Sequence, residues 1–447
     1  MDAELATICK VVTPDSEDWK AHLQRWNHFN SDTKVRIVAL PKDIAEVVAI
    51  ANWATKHKQT DIGVRSGGHG FFSSAEVVVD MRHGFDYASV DEKGIATIGM
   101  GQTLKSVDER TAPWHVPVGV VSHTGCGLLL TGGVGYQTKA HGTSADNILE
   151  ITIVTSDGEV HVCSKKNEPD LFFAARGAAP NLGVVTEVKA QCYKIPDATC
   201  TLRIWPLTEE NMQRLIDFCD QDAVLNDPTI TTYVAMLPSP DKQPICAIHV
   251  VCIGPKEQDE KYNKIIAQLD ETGNIDLLPT SRVPFTTPQT IFDASFPEQY
   301  WYVSQTYFPG DVTVPKECIK ETTNAFLEVP LEDTHAMLIF EQRGNDTSSY
   351  HKYSSDSCAQ PRHGQRWEAY VFYGTTDKDK AEAARQQGRE MKDVVTKFGK
   401  HGGRVHFTKD EPSRVDFYYG ENTPRVREVQ AKYDSSRTFA TCNGMAF

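Results

Sequence analysis

Apolar side chains in the first part of the sequence change from a strand period to a helical period and back. Residues 35–40 and 61–65 are short apolar runs typical of strands, whereas residues 42–57 carry apolar side chains at helical spacing. This order predicts a β-α-β unit whose second strand ends at Arg65. Ligand sites in such folds lie at the carboxyl ends of strands, so the loop after Arg65 is a candidate site.

Further elements follow the same two periods up to about residue 197. A leading helical segment is predicted for residues 1–30, where Trp19, Leu23 and Trp26 stand at helical spacing. The sequence Ser156-Asp157-Gly158-Glu159 predicts a hairpin turn. The other predicted elements are a strand at 77–81, a helix at 103–112, strands at 151–155 and 160–162, and a long strand at 183–193.

From about residue 198 the pattern changes to longer strands that alternate with helices. We predict one antiparallel sheet with helices on one side, an α+β arrangement. Residues 285–307 and 349–366 are rich in aromatic side chains and are interpreted as loops. The predicted elements are strands at 230–237, 245–253, 335–341 and 367–373, and helices at 256–270, 377–397 and 424–432.

Composition narrows the classes of function. The 447 residues suffice for two or three domains, and 40% hydrophobic with 24% charged residues is typical of a soluble globular protein. A formal charge of −14 argues against nucleic-acid partners and anionic membrane surfaces. No apolar run is long enough to span a membrane. The 11 cysteines form no CxxC pair and no secretory leader is visible, so we expect reduced thiols and a cytoplasmic protein.

Two glycine-rich stretches are the candidate binding site. In the first, Ser66-Gly67-Gly68-His69-Gly70, residues without a Cβ surround one imidazole. The second lies at 123–136 and contains five glycines. Backbone N–H groups in such loops can approach an anion such as a pyrophosphate. The first stretch alone is more typical of a surface turn, but its combination with the second stretch favours a binding site.

Five motifs occur in a fixed order along the chain. They are Arg-x-Gly-Gly-His from Arg65, Cys-Gly-Leu-x-Leu-x-Gly-Gly-Val-Gly from Cys126, Ser-x-Asp-Asn-Ile from Ser144, Leu-Phe-x-Ala-x-Arg-Gly from Leu171, and Gly-Val-Val-Thr-Glu-Val from Gly183. This set resembles the FAD-binding half of the vanillyl-alcohol oxidase/PCMH-type FAD-linked oxidases, in the berberine-bridge-enzyme-like branch. The motifs are most similar to those of 6-hydroxy-D-nicotine oxidase. The resemblance runs from about residue 35 to 193 and resumes near residue 416.

The resemblance implies an α+β fold of two domains. A PCMH-type FAD-binding domain is expected at 1–197, and a substrate-binding domain, with an antiparallel sheet backed by helices, at 198–407. The segment 408–447 is expected to return to the FAD-binding domain, which is then discontinuous. The sequence departs from the family's usual ending at Thr423 and at Ser435.

The resemblance also implies FAD as cofactor, bonded covalently through His69 to the flavin 8α-methyl group. The alternative is a histidine that only packs against the flavin. A cysteine for the second link of some relatives would fall near Val120, so we expect a single link and interpret Cys126 as a buried contact. Asp146 is equally compatible with capping a turn. The other residues implied at the cofactor are Arg65, Ser66, Gly67, Gly68, Gly70, Gly125, Cys126, Gly127, Thr131, Gly132, Gly142, Asp146, Ile148, Val185 and Asn422.

Oxidation of an alcohol or amine also needs a base beside the reacting carbon. Alternation along the predicted strand 367–373 places Glu368 and Tyr370 on one face, which makes them the first candidates. Glu341 is the second, and Tyr418 or Tyr419 in the returning segment is a further one. Each carboxylate is also compatible with a solvated strand face. No histidine spacing indicates a metal site, so none is predicted.

The predicted function is therefore that of an FAD-linked oxidase acting on a small specialised metabolite. Hydride from an alcohol or amine carbon is expected to pass to FAD, and O₂ to be reduced to H₂O₂. One alternative on the same scaffold is an oxidative or non-redox cyclase of a natural product. Another is a binding protein that has lost catalysis. The expected partners are thus a small-molecule substrate and O₂, with no nucleic acid and no membrane.

Overall fold

The strands up to Lys194 form three sheets, and those from Asp197 onwards form a fourth. The computed structural model describes residues 2–31, 34–70, 73–270, 274–345, 348–354, 356–361, 364–402 and 418–439. The predicted boundary between 197 and 198 falls after the first residue of the first strand of the fourth sheet, which begins at Asp197. The boundary between 407 and 408 lies outside the described residues, and both boundaries stay predictions.

The first sheet contains the predicted β-α-β unit. Its strands are β1 (Lys10–Val12), β2 (Ile37–Leu40), β3 (Ile62–Arg65) and β4 (Val77–Asp80), in the order β1-β2-β4-β3. Both β2 and β3 run parallel to β4, and helix α3 (Ile44–Lys56) connects them. The Asp43 side chain caps this helix by accepting a hydrogen bond from the Glu46 amide. As predicted, the unit ends at Arg65, directly before the first glycine-rich loop.

The second sheet is antiparallel and carries the second half of the motif set. Its order is β5-β6-β10-β8-β9, and a two-stranded ribbon of β7 and β11 lies beside it. The predicted hairpin is β8 and β9, and the predicted long strand is β10. The strands are β5 (Ala88–Val90), β6 (Ile95–Gly99), β7 (Trp114–His115), β8 (Ile148–Thr155), β9 (Val160–Ser164), β10 (Gly183–Gln191) and β11 (Tyr193–Lys194).

The prediction of one leading helical segment is wrong. Residues 2–30 form two short helices separated by β1, which pairs with β2 and buries Val12 against Val38. Trp26 lies beyond the second helix, in a different core cluster from Trp19 and Leu23. The remaining helices of this part are α1 (Asp2–Ile8), α2 (Trp19–Leu23), α4 (Leu104–Thr111), α5 (Gly127–Leu130), α6 (Thr138–His141), α7 (Ser144–Asn147) and α8 (Pro169–Ala178).

The fourth sheet is antiparallel and has eight strands, in the order β15-β12-β14-β13-β17-β18-β16-β19. All four strands predicted for this half are present in it. The strands are β12 (Asp197–Pro206), β13 (Ile230–Pro238), β14 (Pro244–Cys252), β15 (Ile275–Pro284), β16 (Tyr300–Phe308), β17 (His335–Gln342), β18 (Trp367–Thr375) and β19 (Lys400–Gly402).

One prediction for this sheet is wrong: residues 300–307 are not part of a loop but most of strand β16, which pairs with β18 and β19. Of its buried aromatic side chains, Trp301 lies in one core cluster and Tyr302 in another. The helices are α9 (Glu209–Cys219), α10 (Asp222–Leu225), α11 (Asp259–Ile266), α12 (Thr286–Thr290), α13 (Lys316–Leu327), α14 (Ser349–Lys352) and α15 (Ala381–Thr396).

The C-terminal segment returns to the first part of the chain, as predicted. Its helix α16 (Thr423–Tyr433) packs on α8. Tyr418, Tyr419 and Val426 share a buried core with Leu171 and Phe172 of α8. The core around the glycine-rich loops is therefore built from two distant stretches of sequence, which makes this domain discontinuous.

Candidate active site

Two cavities meet at the His69 imidazole. The smaller, of about 100 Å³, is lined by the loop after β3 and by the second glycine-rich stretch. The larger, of about 490 Å³, lies over one face of the eight-stranded sheet. His69 lines both cavities, so it stands where their contents would meet. Nine of the predicted cofactor residues line the smaller cavity, namely Ser66, Gly67, Gly68, His69, Gly70, Gly125, Gly127, Thr131 and Val185.

Glycine is required where the two loops touch. A Cβ on Gly125 would lie 2.0 Å from the Gly67 nitrogen, and a Cβ on Gly67 would lie 2.4 Å from the Gly125 nitrogen. A Cβ on Gly127 would meet no atom within 4 Å, since its backbone faces open space. The Ser66 hydroxyl fixes the contact by accepting a hydrogen bond from the Cys126 amide at 3.0 Å. Loops that expose bare backbone in this way fit the phosphate-bearing cofactor that the motifs predict.

The His69 ring is held from two sides. Its Nε2 lies 2.9 Å from His123 Nδ1, in a hydrogen bond. The Trp26 ring stacks on it with centroids 4.7 Å apart and an interplanar angle of 2°. Sequence analysis missed both partners. The position of His123 directly before the second glycine-rich stretch is the one signal that could have identified it.

Arg65 does not line either cavity. Its guanidinium donates hydrogen bonds to the carbonyl oxygens of His22 at 2.5 Å and Gln24 at 2.9 Å. Burial lowers the pKa of Arg65 to about 10. The side chain of Arg65 thus holds the N-terminal segment against the loop, and its contact with the cofactor stays a prediction.

Asp146 and Gly142 act together at the start of α7. The Asp146 carboxylate accepts hydrogen bonds from the Thr143 amide at 2.7 Å and the Thr143 hydroxyl at 2.8 Å. A Cβ on Gly142, whose φ is +84°, would lie 2.8 Å from Asp146 Oδ2. The alternative interpretation of Asp146, a carboxylate that caps a turn, describes its place in the structure.

Four other predicted cofactor residues also lie outside the lining of the smaller cavity. Cys126 and Ile148 are in the hydrophobic core of this domain, and burial raises the pKa of the Cys126 thiol. Gly132 adopts a φ of +79° in the turn after α5. Asn422 donates hydrogen bonds to the carbonyl oxygens of Cys358 and Ala359 and so ties the C-terminal segment to that loop.

The floor of the larger cavity is a face of the sheet. Strand pairing places His249, Tyr233, Glu341 and Glu368 in one row across β14, β13, β17 and β18. Residues in such a row point to the same face of the sheet. The next row, two residues along each strand, contains Tyr370 opposite Ile339. The side chains of β18 therefore alternate as predicted, and Glu368 and Tyr370 lie on the same face of the strand.

A buried polar cluster surrounds Arg343 at one end of this floor. Its guanidinium forms ion pairs with Glu341 and Glu368, and it donates a hydrogen bond to the Tyr370 hydroxyl at 2.7 Å. Tyr370 in turn donates to Glu368 Oε2 at 2.5 Å. Burial opposes charge on Arg343, but the two carboxylates outweigh it and raise its pKa. In this buried cluster the Arg343 guanidinium is therefore the shared ion-pair partner of Glu341 and Glu368.

Tyr370 and Glu341 line the cavity, whereas Glu368 lies behind them with 1% of its surface exposed. Tyr233 donates a hydrogen bond to Glu341 at 2.7 Å, and the Tyr370 hydroxyl contacts both Arg343 and Glu368. Sequence analysis missed Arg343, although it stands two residues after Glu341 at the end of the predicted strand.

Tyr419 is not at this floor. Its side chain is fully buried in the core of the FAD-binding domain, where its hydroxyl donates to the Gly177 carbonyl at 3.4 Å. Neither cavity has Tyr419 or Tyr418 among the described residues of its lining. In this position Tyr419 packs the returning segment against α8, and its role as a base stays an untested prediction.

Metal-binding clusters and membrane-spanning helices are both absent from the described parts of the chain. No group of three or more histidine, cysteine or carboxylate side chains there is arranged to hold a metal ion. None of the helices there combines the length and the apolar composition that crossing a bilayer requires. All ten cysteines in those ranges are buried and free of disulfides.

Two family models match the sequence. The FAD binding domain matches residues 35–164, and the "Berberine and berberine like" model matches residues 407–444. The sequence is 25% identical to an FAD-linked oxidoreductase of Dictyostelium discoideum over 96% of this chain and 92% of that protein. It is 35% identical to (R)-6-hydroxynicotine oxidase of Paenarthrobacter nicotinovorans, over 44% of this chain and 45% of that one.

A solved structure has the same fold. Glucooligosaccharide oxidase from Acremonium strictum, whose FAD is described as 6-S-cysteinyl, 8α-N1-histidyl, superposes with a TM-score of 0.80. The match covers 98% of this chain and 97% of that one, with 17% sequence identity. These findings confirm the predicted resemblance, the two-domain α+β fold and the enzyme class, an FAD-linked oxidoreductase.

Proposed function

We propose that this chain is an FAD-dependent oxidase that removes a hydride from the hydroxyl- or amine-bearing carbon of a small molecule. The observation that carries the proposal is the position of His69, which forms a wall of both the glycine-lined cavity and the cavity over the sheet. A cofactor in the first cavity would then face a substrate in the second. Bound FAD supplies the two-electron acceptor for the hydride.

Residues of this chain accept the proton that the substrate hydroxyl loses. In this proposal the substrate hydroxyl gives its proton to Tyr370 Oη, and the proton already on Tyr370 moves to Glu368 Oε2, 2.5 Å away. Arg343, 2.7 Å from Tyr370 Oη, stabilises negative charge there. Glu341 is the second candidate for the base, since it also lines the cavity.

We also propose that O₂ is the second substrate, so that each molecule of alcohol or amine oxidised yields one H₂O₂. Peroxide counted against product tests this proposal. A ratio near one supports an oxidase, and product formed without peroxide would instead indicate a non-redox cyclase.

The covalent bond between FAD and His69 is a separate proposal. Support comes from the fixed orientation of the His69 ring, between the Trp26 ring and His123 Nδ1. Val120 and Val121 occupy the region where a second link would start, so a single bond is proposed. Acid precipitation of the holoenzyme tests the bond: a yellow pellet with a colourless supernatant is expected for the wild type.

The matched variant is His69→Ala, which should release all its flavin into the supernatant while keeping the fold. A control is His28→Ala, which changes a histidine outside both cavity linings and should leave the pellet yellow. A colourless protein from cells supplied with flavin would contradict the enzyme proposal. Yellow supernatant from the wild type would contradict only the covalent bond.

A further inference from the structure

The larger cavity is built mainly from hydrocarbon. Its lining includes Leu202, Ile204, Leu237, Met337 and Phe372 on the sheet face. Phe292 and Phe296 cover it from the segment before β16. Such a lining gains free energy by removing apolar surface from water, and it offers few partners to a sugar's hydroxyl groups.

His249 is one of the polar side chains in this lining. The imidazole lies in the polar row of the floor, with 1% of its surface exposed. The Phe292 ring meets it edge-on at 5.0 Å. On its other side, Nδ1 lies 3.3 Å from the Tyr136 hydroxyl, which donates its own proton to the Pro288 carbonyl at 2.9 Å.

These contacts determine which nitrogen of His249 carries the proton. Burial lowers the pKa of His249 to about 3, so the ring is neutral near pH 7. The Tyr136 proton is engaged with Pro288, and His249 Nδ1–H is therefore the donor to the Tyr136 oxygen. Nε2 is then a lone-pair acceptor, and no described residue gives it a hydrogen-bond partner.

An unpartnered acceptor buried in an apolar cavity costs free energy unless a ligand satisfies it. Three strand steps separate His249 on β14 from Tyr370 on β18. Tyr370 is also two residues along its strand from the row of His249. At about 4.8 Å between neighbouring strands and about 3.4 Å per residue along a strand, the two residues stand about 16 Å apart along the floor. Nε2 is therefore placed to contact the end of a ligand that is remote from the reacting carbon.

We propose that the substrate is an elongated, mainly aromatic or polycyclic alcohol or amine whose far end carries a hydroxyl or N–H that donates to His249 Nε2. The inference rests on the proposed function for the reacting end of the molecule. The far end is argued from this chain's cavity alone. A site built to accept a hydrogen bond discriminates strongly against an analogue that lacks the donor.

Binding of two tertiary alcohols to the holoenzyme tests the proposal without any turnover. The probes are 2-(biphenyl-4-yl)propan-2-ol and 2-(4′-hydroxybiphenyl-4-yl)propan-2-ol, which have no hydrogen on the carbinol carbon and cannot be oxidised there. Isothermal titration calorimetry should give about tenfold tighter binding for the second probe, because it alone carries a remote donor.

Three variants identify the acceptor. His249→Phe should reduce the ratio of affinities to about one, whereas His249→Gln, which keeps an acceptor oxygen, should keep most of it. His335→Phe changes another histidine of the lining and should leave the ratio unchanged. The visible spectrum of bound flavin, equal to that of the wild type, verifies the fold of each variant.

Several outcomes would overturn the proposal. Equal affinities of the two probes for the wild type, or a preference that survives His249→Phe, exclude His249 as the acceptor. Tighter binding of cellobiose than of either biphenyl, or no binding of either biphenyl, excludes the apolar substrate class. If the predicted ratios hold but no alcohol of this shape is oxidised, the oxidase proposal fails and the binding inference stands.

Discussion

The Tyr370 hydroxyl is the proposed proton acceptor, and it contacts both Arg343 and Glu368. Tyr370→Phe removes the proton acceptor, and we expect the rate of hydride transfer to fall by about 100-fold. Glu368→Gln should slow it similarly, since the proton then has no carboxylate to reach. Anaerobic stopped-flow reduction of the flavin by biphenyl-4-ylmethanol measures this rate.

Tyr302→Phe is the matched control for that experiment. Tyr302 is a buried tyrosine on β16, but it lies in the core cluster on the opposite side of the sheet from the cavity. Its variant should reduce the flavin at the wild-type rate. Wild-type rates in Tyr370→Phe would assign the base elsewhere, with Glu341 as the next candidate.

His249 also gives a stability prediction. Its pKa is about 3 in the folded protein against an ordinary value of 6.5, so the unfolded chain binds the extra proton between these pH values. The free energy of unfolding should therefore fall as the pH falls below 6.5, by about 2 kcal/mol from this one residue at pH 5. His249→Gln should lack this part of the slope.

Urea unfolding at pH 7 and pH 5 measures that slope. The exposed His83 provides the comparison, because His83→Gln should retain the wild-type difference between the two pH values. An unchanged difference in His249→Gln would mean that folding does not lower the pKa of this imidazole, which would contradict its burial in an apolar site.

At the scale of elements, the contact between the two glycine-rich loops is the feature most sensitive to substitution. Gly125→Ala places a Cβ 2.0 Å from the Gly67 backbone, so the loops must separate. We expect about 1–3 kcal/mol lower stability, as for overpacked sites, even without flavin. Gly127→Ala adds its methyl group to open space and should leave the apoprotein's stability unchanged.

The two variants should then differ in a second measurement. The added methyl group of Gly127→Ala enters the cavity itself, so its ratio of flavin to protein absorbance should fall although the fold is intact. A normal flavin content in Gly127→Ala would mean that the cofactor does not approach this glycine. Equal stabilities of the two apoproteins would contradict the loop contact.

Elements with a clear period could be predicted from the sequence, and elements without one could not. Helix α3 and the strands β13, β14 and β17 follow a simple pattern and lie where expected. Strand β16 was missed because both of its faces are buried, so aromatic residues replace the alternation of apolar and polar positions. The acceptor at His249 was missed for a related reason: only strand pairing shows which residues share its row.

The glycine motifs were more informative than any period. They contain nine residues that line the smaller cavity, and at Gly67 and Gly125 the close approach of two backbones leaves no alternative to glycine. They did not distinguish such residues from Arg65 and Asp146, whose side chains serve the fold of the same loops. Side-chain direction in a loop depends on tertiary partners that a motif does not contain.

At the scale of the whole molecule, Lys139 connects the FAD-binding part to the sheet of the larger cavity. Its buried ammonium donates hydrogen bonds to the Val224 carbonyl at 2.9 Å and to Gln342 at 3.3 Å. Burial lowers its pKa to about 8. Lys139→Ala should lower the free energy of unfolding by about 2 kcal/mol, since two buried acceptors lose their donor.

Lys105→Ala is the comparison for this variant, because Lys105 is largely exposed and forms its ion pair with the equally exposed Glu109. Lys105→Ala should change the free energy of unfolding by less than about 0.5 kcal/mol. Equal effects of the two variants in urea unfolding would show that Lys139 does not hold the two parts together.

The packing of α16 on α8 has a consequence for the order of events on the ribosome. The eight-stranded sheet is complete at residue 402, but the core beside the glycine-rich loops still lacks Tyr418, Tyr419 and Val426. Domains fold as they emerge during synthesis. The eight-stranded sheet can therefore form before the N-terminal part of the chain, although synthesised first, has its complete core. Synthesis from the N-terminus to the C-terminus thus makes the glycine-lined cavity assemble after the sheet that forms the floor of the larger cavity.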